Sequence, residues 1–248
     1  MHGRDHVRAD MNAAELTARL EPLGVAVQAY DSIESTNREL IRQARDGAKS
    51  LTLLAAARQT SGYGSRGREF YSPDSGAYFS LLVREAADFG VTARAAVAAA
   101  DAIAETFALS CGIKWPNDLI IGGKKVGGIL VEAFPGFYVL GIGLNVFRTE
   151  YPGLPNAGSI AGSPIDGVRE RLVADVVTRF LSSTHEFTVR RFRELSVLIG
   201  RDVIAAFGGQ RVQVRVEGID DEFRLIVRFS DGITKTLTSG EITFNHEA

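Results

Sequence analysis

Residues 114–132 read KWPNDLIIGGKKVGGILVE, and this stretch decides the central part of the fold. Within it, two apolar segments flank the pair Gly122-Gly123. Paired glycines between apolar segments are typical of a tight turn that joins two antiparallel strands. We therefore predict a β-hairpin over residues 118–132.

The same stretch concentrates groups that bind charged ligands. Residues 114–118 place a cation, an indole, an amide and a carboxylate side by side. The predicted hairpin turns Lys125 back towards the strand that carries Asn117 and Asp118. The glycine pair 127–128 would let a flat ligand lie against the backbone. The alternative is a hairpin end covered by lysines, with the tryptophan in the core, and the residues alone leave both interpretations open.

A glycine-rich loop lies upstream of the hairpin. Residues 62–67 (GYGSRG) match G-x-G-x-x-G, but the dinucleotide-binding motif requires a helix directly after the glycines. Residues 69–76 contain a proline and two aromatic residues and lead into another strand, so we reject that interpretation. Glycine N–H groups near Arg66 and Arg68 favour a phosphate-bearing ligand, such as a nucleotide or an acyl-adenylate. A solvated surface loop fits these residues equally well.

Two further segments have both a structural and a functional interpretation. Residues 35–37 (STN) lie near a predicted helix start, where such residues cap the helix, and capping is the favoured interpretation of these residues alone. The same hydroxyl and amide groups would also suit a polar ligand head. Gly141 and Gly143 lie inside a predicted strand, where glycine often marks the close approach of a ligand or of another backbone segment.

The hydrophobic pattern predicts alternating helices and strands, followed by a segment of short strands alone. The first predicted helix begins after Asn12. Four further helices are predicted over residues 32–45, 92–109, 168–180 and 189–198. The predicted strands outside the hairpin cover residues 25–30, 51–57, 78–83 and 137–146. From about residue 199 onward, short alternating apolar runs divided by Gly and Asp predict a small β-barrel-like module. We therefore divide the chain into domains at 1–198 and 199–248.

Composition excludes several classes of protein. The 28 Lys and Arg against 30 Asp and Glu give a formal charge of −2, which argues against bulk binding of nucleic acid or a membrane surface. One cysteine, Cys111, cannot form an internal disulfide, and with four scattered histidines it gives no structural zinc site. The first ten residues are polar where a signal peptide needs an apolar stretch, and no run approaches the roughly 20 apolar residues of a transmembrane helix. We expect a cytoplasmic protein.

In this order along the chain, these segments resemble the biotin protein ligases, enzymes that join biotin to a lysine of carboxylase subunits. The resemblance extends to Gly240-Glu241-Ile242, and residues 114–118 with the downstream GGILVE are its most specific part. It implies an α/β fold with a mixed β-sheet flanked by helices, like the catalytic domain of class II aminoacyl-tRNA synthetases, and a small C-terminal SH3-like β-barrel. Some members carry an N-terminal DNA-binding module. Because only about 34 residues precede Ser35, we expect a monofunctional form that binds no operator.

The resemblance implies a two-step, ATP-dependent reaction. The biotin carboxylate attacks the α-phosphate of ATP and gives biotinyl-5′-AMP and pyrophosphate, with Mg²⁺ neutralising the phosphates and no tight metal site on the protein. A lysine of a biotin carboxyl carrier protein or domain, such as that of acetyl-CoA carboxylase, then accepts the biotinyl group and AMP leaves. The alternatives are a lipoate ligase or octanoyl transferase of the same superfamily, and a catalytically weakened biotin sensor.

The resemblance also assigns roles to residues. The catalytic residues would be Lys125, Asp118 and Arg68, with Lys125 binding the carboxylate and the developing phosphate charge. Asp118 would orient Lys125 or assist the incoming amine. Biotin would contact Ser35, Thr36, Asn37, Gln59, Gly62, Tyr63, Gly64, Ser65, Lys125, Gly128, Gly141 and Gly143. The nucleotide would contact Arg66, Arg68, Phe70, Asn117 and Asn145.

The loop departs from the pattern Gly-Arg-Gly-Arg-x-Gly-Arg that is common in the family. Tyr63 and Ser65 occupy two positions where arginine is common. Because a serine cannot supply a guanidinium fork, we expect weaker retention of the adenylate, partly compensated by Arg66 and Arg68. Phe70 stands where a tryptophan is common and keeps an aromatic face.

Overall fold

A computed structural model describes residues 11–88, 90–147 and 149–244, so the polar first ten residues lie outside the described part. The helices are α1 (Ala13–Leu20), α2 (Thr36–Arg45), α3 (Val91–Phe107), α4 (Val168–Ser182) and α5 (His185–Leu195). The strands are β1 (Ala26–Ile33), β2 (Thr52–Gln59), β3 (Ala77–Val83), β4 (Gly112–Lys114), β5 (Asp118–Ile121), β6 (Lys124–Phe134), β7 (Phe137–Leu144), β8 (Asp202–Phe207), β9 (Gln210–Ile219), β10 (Leu225–Arg228), β11 (Thr234–Leu237) and β12 (Glu241–Phe244).

The first seven strands form one mixed sheet in the order β1-β2-β3-β7-β6-β5-β4. In this sheet β1 and β2 are parallel, and the other neighbouring strands are antiparallel. Parallel neighbours need a crossover connection, which α2 supplies between β1 and β2. The predicted hairpin is confirmed, since β5 pairs with β6 and both Gly122 and Gly123 have positive φ. The predicted mixed sheet with flanking helices is confirmed as well.

Helices cover both faces of this sheet. One face, which includes Leu54, Leu82 and Val139, packs against α2. The other face, which includes Leu53 and Leu81, packs against α1, α3 and α4. Neighbouring residues of a strand therefore enter different cores, as the two-residue repeat of a strand requires. The small alanine side chains of α3 are almost all buried, so this helix can lie close to its neighbours.

The start of α2 differs from its prediction. The helix begins at Thr36 rather than at residue 32, because β1 continues to Ile33 in register with β2. Ser35 caps the helix, since its Oγ accepts a hydrogen bond from the backbone N of Arg38 at 3.4 Å. The favoured structural interpretation of this segment is thereby confirmed, although the same residues also border a cavity described below.

The start of α5 differs as well. This helix begins at His185 rather than at residue 189, because Thr184 accepts a hydrogen bond from the backbone N of Phe187 at 3.3 Å and caps an earlier turn. That first turn is largely exposed, so its residues carry little of the apolar repeat from which a helix is predicted. Within the described residues, no helix combines the length and the apolar character needed to cross a membrane.

The last five strands form a second, antiparallel sheet in the order β11-β10-β9-β8-β12. β11 and β12 are the edges of this sheet, and across the described residues they do not pair with each other. The predicted small β module is therefore present, and its sheet does not close into a barrel. After β11 the chain returns to pair with β8, so β12 lies at the opposite edge of the sheet from β11.

Phe223 fastens the second sheet to the rest of the molecule. Its ring packs edge-on against Phe192 and His185 of α5, with centroid distances of 5.7 and 5.4 Å. Its carbonyl accepts a 2.8 Å hydrogen bond from the indole Nε1 of Trp115. The residue has φ +60°, a left-handed conformation that is rare for a bulky side chain. These contacts therefore outweigh a backbone cost of about 1–2 kcal/mol.

Replacing Phe223 with alanine should lower the free energy of unfolding by about 3–5 kcal/mol, because the ring is lost and φ stays positive. Phe223→Gly should be less destabilising than Phe223→Ala, by about 1 kcal/mol, since glycine adopts positive φ freely. Urea unfolding of both variants measures the difference. At Phe192, inside α5, the order should reverse, because glycine in a helix is worse than alanine by about 1 kcal/mol. Equal stability of the two Phe223 variants would contradict the assigned strain.

Candidate active site

A cavity of about 670 Å³ lies between the large sheet and the second sheet. The start of α2, the glycine-rich loop, the centre of β6 and β7, and the segments 114–118 and 238–242 all border it. The predicted site residues that line it are Ser35, Thr36, Asn37, Gln59, Tyr63, Gly64, Ser65, Arg66, Arg68, Phe70, Asn117, Asp118, Lys125, Gly128, Gly141 and Gly143. The predicted residues Gly62 and Asn145 lie outside this lining.

At one end of the cavity, the first turn of α2 presents a fixed set of hydroxyl and amide groups. Gln59 Oε1 accepts hydrogen bonds from the backbone N of Thr36 at 2.9 Å and from its Oγ1 at 3.1 Å. Ser80 Oγ lies 2.5 Å from Asn37 Oδ1 and 2.8 Å from Thr36 Oγ1. Because Thr36, Asn37 and Ser80 are buried, these bonds hold the side chains in one arrangement. This end therefore suits a polar ligand head that exchanges hydrogen bonds.

The glycines of β7 make room for protein side chains. A Cβ atom at Gly141 would lie 2.2 Å from Asn37 Oδ1, and one at Gly143 would lie 2.7 Å from Phe70 Cε1. The sequence predicts that these glycines leave space for the ligand itself, whereas the structure places Asn37 and Phe70 in that space. A ligand in the cavity therefore faces an amide and an aromatic ring that lie across the strand.

The glycine-rich loop folds as a small hairpin of its own. The backbone N of Gly64 donates to the carbonyl of Arg68 at 2.8 Å, and the backbone N of Phe70 donates to the carbonyl of Gly62 at 2.9 Å. Arg66, at the tip, has φ +62°. Gly62 lies on the outer side of this hairpin, where it borders a separate hollow, and a Cβ atom there would overlap Ser72.

Both loop arginines face a carboxylate of the second sheet. Arg68 Nη1 lies 2.7 Å from Glu241 Oε1, and Arg66 Nη1 lies 3.5 Å from Glu241 Oε2. The hydrogen bond from Arg68 and the two positive charges hold the pKa of Glu241 below its usual value. The sequence predicts these arginines as phosphate ligands, and the structure adds that a phosphate would have to compete with Glu241 for them.

Lys125 lines the cavity. Its Nζ lies 2.5 Å from Asp118 Oδ1 and 5.9 Å from the centroid of the Phe70 ring. Its backbone is fixed as well, because its N donates to the carbonyl of Asn156 at 2.8 Å. The predicted approach of Lys125 to the strand with Asp118 is confirmed by this geometry. The ammonium group therefore lies beside Asp118 and the Phe70 ring, both of which line the cavity.

The two predicted asparagines have different surroundings. Asn117 lines the cavity, and its Nδ2 donates to the carbonyl of Ile129 at 2.7 Å, which holds the bend before β5 against β6. Asn145 is buried away from the cavity, and its Nδ2 donates to the carbonyl of Gly158 at 3.0 Å. The structure thus uses Asn145 to fasten the loop of residues 151–166, rather than bringing it to the predicted nucleotide site.

Sequence reasoning missed three polar residues that organise the cavity. Ser80 and Glu132 hold side chains at its polar end, and Arg224 borders it from the second sheet. For Ser80 a signal exists, since a hydroxyl inside the apolar strand AYFSLLV needs a buried partner. The carboxylate of Glu132 and the guanidinium of Arg224 lie in strand and turn positions where charged residues are ordinary.

Comparison with known proteins identifies the family to which the chain with this site is related. The sequence profile of the Biotin/lipoate A/B protein ligase family matches residues 29–146, and that of the biotin protein ligase C terminal domain matches residues 198–244. The bifunctional ligase/repressor BirA of Bacillus subtilis is 30% identical over 88% of this chain and 74% of its own length. The biotin–[acetyl-CoA-carboxylase] ligase of Mycobacterium tuberculosis is 28% identical, and each chain covers 98% of the other.

The solved structures agree with the sequence matches at the level of the fold. The biotin protein ligase of Aquifex aeolicus, in complex with biotin and ATP, superimposes with a TM-score of 0.74 at 24% identity, over 88% of this chain and 97% of its own. The chain therefore belongs to the Biotin/lipoate A/B protein ligase family. The resemblance to biotin protein ligases that the sequence predicts is confirmed.

The contact between Glu241 and the loop arginines should contribute a small, pH-dependent stabilisation. Because the pair is exposed, Glu241→Gln should lower the free energy of unfolding by less than about 1 kcal/mol at pH 7. The pKa of Glu241 is lower in the folded protein, so this contribution is present above the unfolded pKa of about 4.3 and is lost as the pH falls through the folded pKa. Urea unfolding at pH 7, 5 and 3 should show the difference shrinking at pH 3. A difference that grows towards pH 3 would contradict the assignment.

Proposed function

We propose that this protein is an ATP-dependent biotin protein ligase. It activates biotin as biotinyl-5′-AMP and transfers the biotinyl group to a specific lysine of a biotin carboxyl carrier domain, such as that of acetyl-CoA carboxylase. One observation carries the proposal. A single cavity is lined by the polar groups of Thr36 and Asn37, by Lys125, and by the loop arginines Arg66 and Arg68, which together supply partners for biotin, its carboxylate and a nucleotide phosphate.

In the first step, a carboxylate oxygen of biotin attacks the α-phosphorus of ATP, and the bond to pyrophosphate breaks. Negative charge builds up between the two reactants, and the ammonium of Lys125 stabilises it there. Asp118 contacts Lys125 at 2.5 Å, so it keeps the ammonium aimed into the cavity. Of the two roles considered for Asp118, this contact supports the orientation of Lys125.

In the second step, the ε-amine of the acceptor lysine attacks the acyl carbon of the adenylate. The bond between that carbon and the phosphate oxygen breaks, AMP leaves, and the amine nitrogen loses a proton as the amide forms. The protein contributes chiefly by position, since Ser35, Thr36, Asn37 and Gln59 fix the biotin end while the loop holds the nucleotide.

The nucleotide end combines charge with an aromatic face. Arg66 and Arg68 can exchange Glu241 for phosphate oxygens, and Phe70 offers a ring to the adenine. Mg²⁺ would reach the site with the phosphates of ATP and neutralise them. Among the described residues, no group of three or more His, Cys, Asp or Glu side chains could hold a metal ion.

The remaining assignments follow from these roles. We propose that residues 1–198 form the catalytic domain and that residues 199–248 form a module whose Glu241 and Arg224 border the nucleotide end. We also propose a cytoplasmic location, because the single cysteine, Cys111, gives no disulfide that would need an oxidising compartment.

Replacement of Lys125 should abolish most of the first step. Lys125→Ala should lower biotin-dependent pyrophosphate release on the order of 10²-fold, the effect of removing one preorganised charge donor. Lys124→Ala is the matched control, because Lys124 is an exposed neighbour outside the cavity lining and its variant should keep its activity. The measurement is pyrophosphate release, followed by labelling of a carrier domain and of the same domain with Arg at the acceptor lysine. Pyrophosphate release with lipoate but not with biotin would overturn the proposed substrate.

The serine at position 65 should weaken retention of the intermediate. Ser65→Arg should slow the dissociation of biotinyl-5′-AMP, since a guanidinium adds paired donors for the phosphate. Stopped-flow or filter-binding measurement of the dissociation rate before and after the substitution tests this. An unchanged or faster rate in the variant would show that Arg66 and Arg68 already supply the retention.

A further inference from the structure

Tyr63 joins the glycine-rich loop to two other segments of the site. Its hydroxyl donates a 2.7 Å hydrogen bond to Glu132 Oε2 in β6. The same carboxylate oxygen accepts a 2.8 Å hydrogen bond from Asn37 Nδ2, in the first turn of α2. One carboxylate oxygen therefore fixes both the loop and an amide at the polar end of the cavity.

The surroundings of Tyr63 favour this bond over exchange with water. The Arg38 guanidinium carbon lies 5.1 Å from the centroid of the tyrosine ring, so the ring is held on one side by a cation–π contact. Burial of the phenol and its bond to Glu132 raise the pKa of Tyr63 well above its usual range. The hydroxyl therefore keeps the proton that it donates to Glu132.

Because of the position of Tyr63 in the loop, this one hydrogen bond restrains the backbone of the whole loop hairpin. Tyr63 stands between Gly62 and Gly64, in the first arm of the small hairpin, and forms a bridge with Glu69 in the second arm. Glycines give a loop backbone many conformations, so one side-chain anchor between two of them removes much of that freedom. Fixing Tyr63 against β6 thus fixes both arms of the hairpin.

We propose that Tyr63 is a positioning residue that latches the glycine-rich loop to Glu132, so that the loop is held at the biotin end before the ligand arrives. This inference rests on the proposed function for its effect on biotin, but the latch itself does not. The shared carboxylate couples loop position to the orientation of the Asn37 amide. An arginine at position 63, as is common in the family, would hold the ligand by its charge. Tyr63 instead holds the loop by donating a hydrogen bond from a neutral hydroxyl group.

The first test needs no ligand. Trypsin cleaves after Arg66 and Arg68 only when the loop opens, so mass spectrometry of those two cleavages reports the opening. Tyr63→Phe should increase their rate about fivefold, the effect of removing one hydrogen bond. Tyr151→Phe is the matched control, since it removes a tyrosine hydroxyl contact with Ser159 in another loop. Cleavage of Tyr63→Phe at the wild-type rate would overturn the latch.

The second test separates a latch from a general loss of structure. Tyr63→Phe and Glu132→Ala should each raise the Kd for biotin severalfold. The double variant should be no worse than Glu132→Ala alone, because both substitutions remove the same bond. Additive effects in cleavage and in biotin affinity would overturn the coupling. If the loop opens as expected but no form binds biotin, the latch stands and the proposed function fails.

Discussion

The cavity depends on glycines, which have no side chains, at the centre of the large sheet. β6 and β7 pair so that Gly128 faces Gly143, and Gly141 lies two residues earlier in β7. A methyl group at Gly141 or Gly143 would overlap Asn37 or Phe70. Because the strands leave this space, two side chains from distant segments lie across the sheet and give the site an amide and an aromatic face. The charged residues are arranged around the Asn37 amide and the Phe70 ring.

Sequence reasoning succeeded where neighbours along the chain decide the structure. The turn at Gly122-Gly123 pairs Ile120 with Lys125 on two adjacent strands, and on the same two strands Lys125 contacts Asp118. The strand order of the second sheet could not be predicted in this way, because no local residue determines that β12 pairs with β8. The anchor at Phe223 could not be predicted either, since only the assembled packing compensates a left-handed aromatic residue.

The same distinction applies to the site. Its motif residues could be assigned from spacing, but their partners come from remote segments. Asn37 and Glu132 are separated by 95 residues, and Arg68 and Glu241 by 173. A single carboxylate in a strand has no sequence signal, because exposed carboxylates are ordinary there. The structure therefore adds the groups that hold the binding residues in place. One of these groups, Glu132, is the partner of Tyr63, a residue at which this chain departs from the pattern common in the family.

The cations of the cavity are held by carboxylates that bind them only weakly. Lys125 contacts Asp118, and Arg68 contacts Glu241, in pairs whose side chains are between 27% and 60% exposed. Exposed pairs contribute only about 0–1 kcal/mol, so an anionic ligand can displace either carboxylate at little cost in free energy. In the proposed function, each pair keeps a long, flexible side chain at the place where the ligand's charge develops. The reaction then proceeds between charges that are already in position, which is the condition under which electrostatic stabilisation of a transition state is most effective.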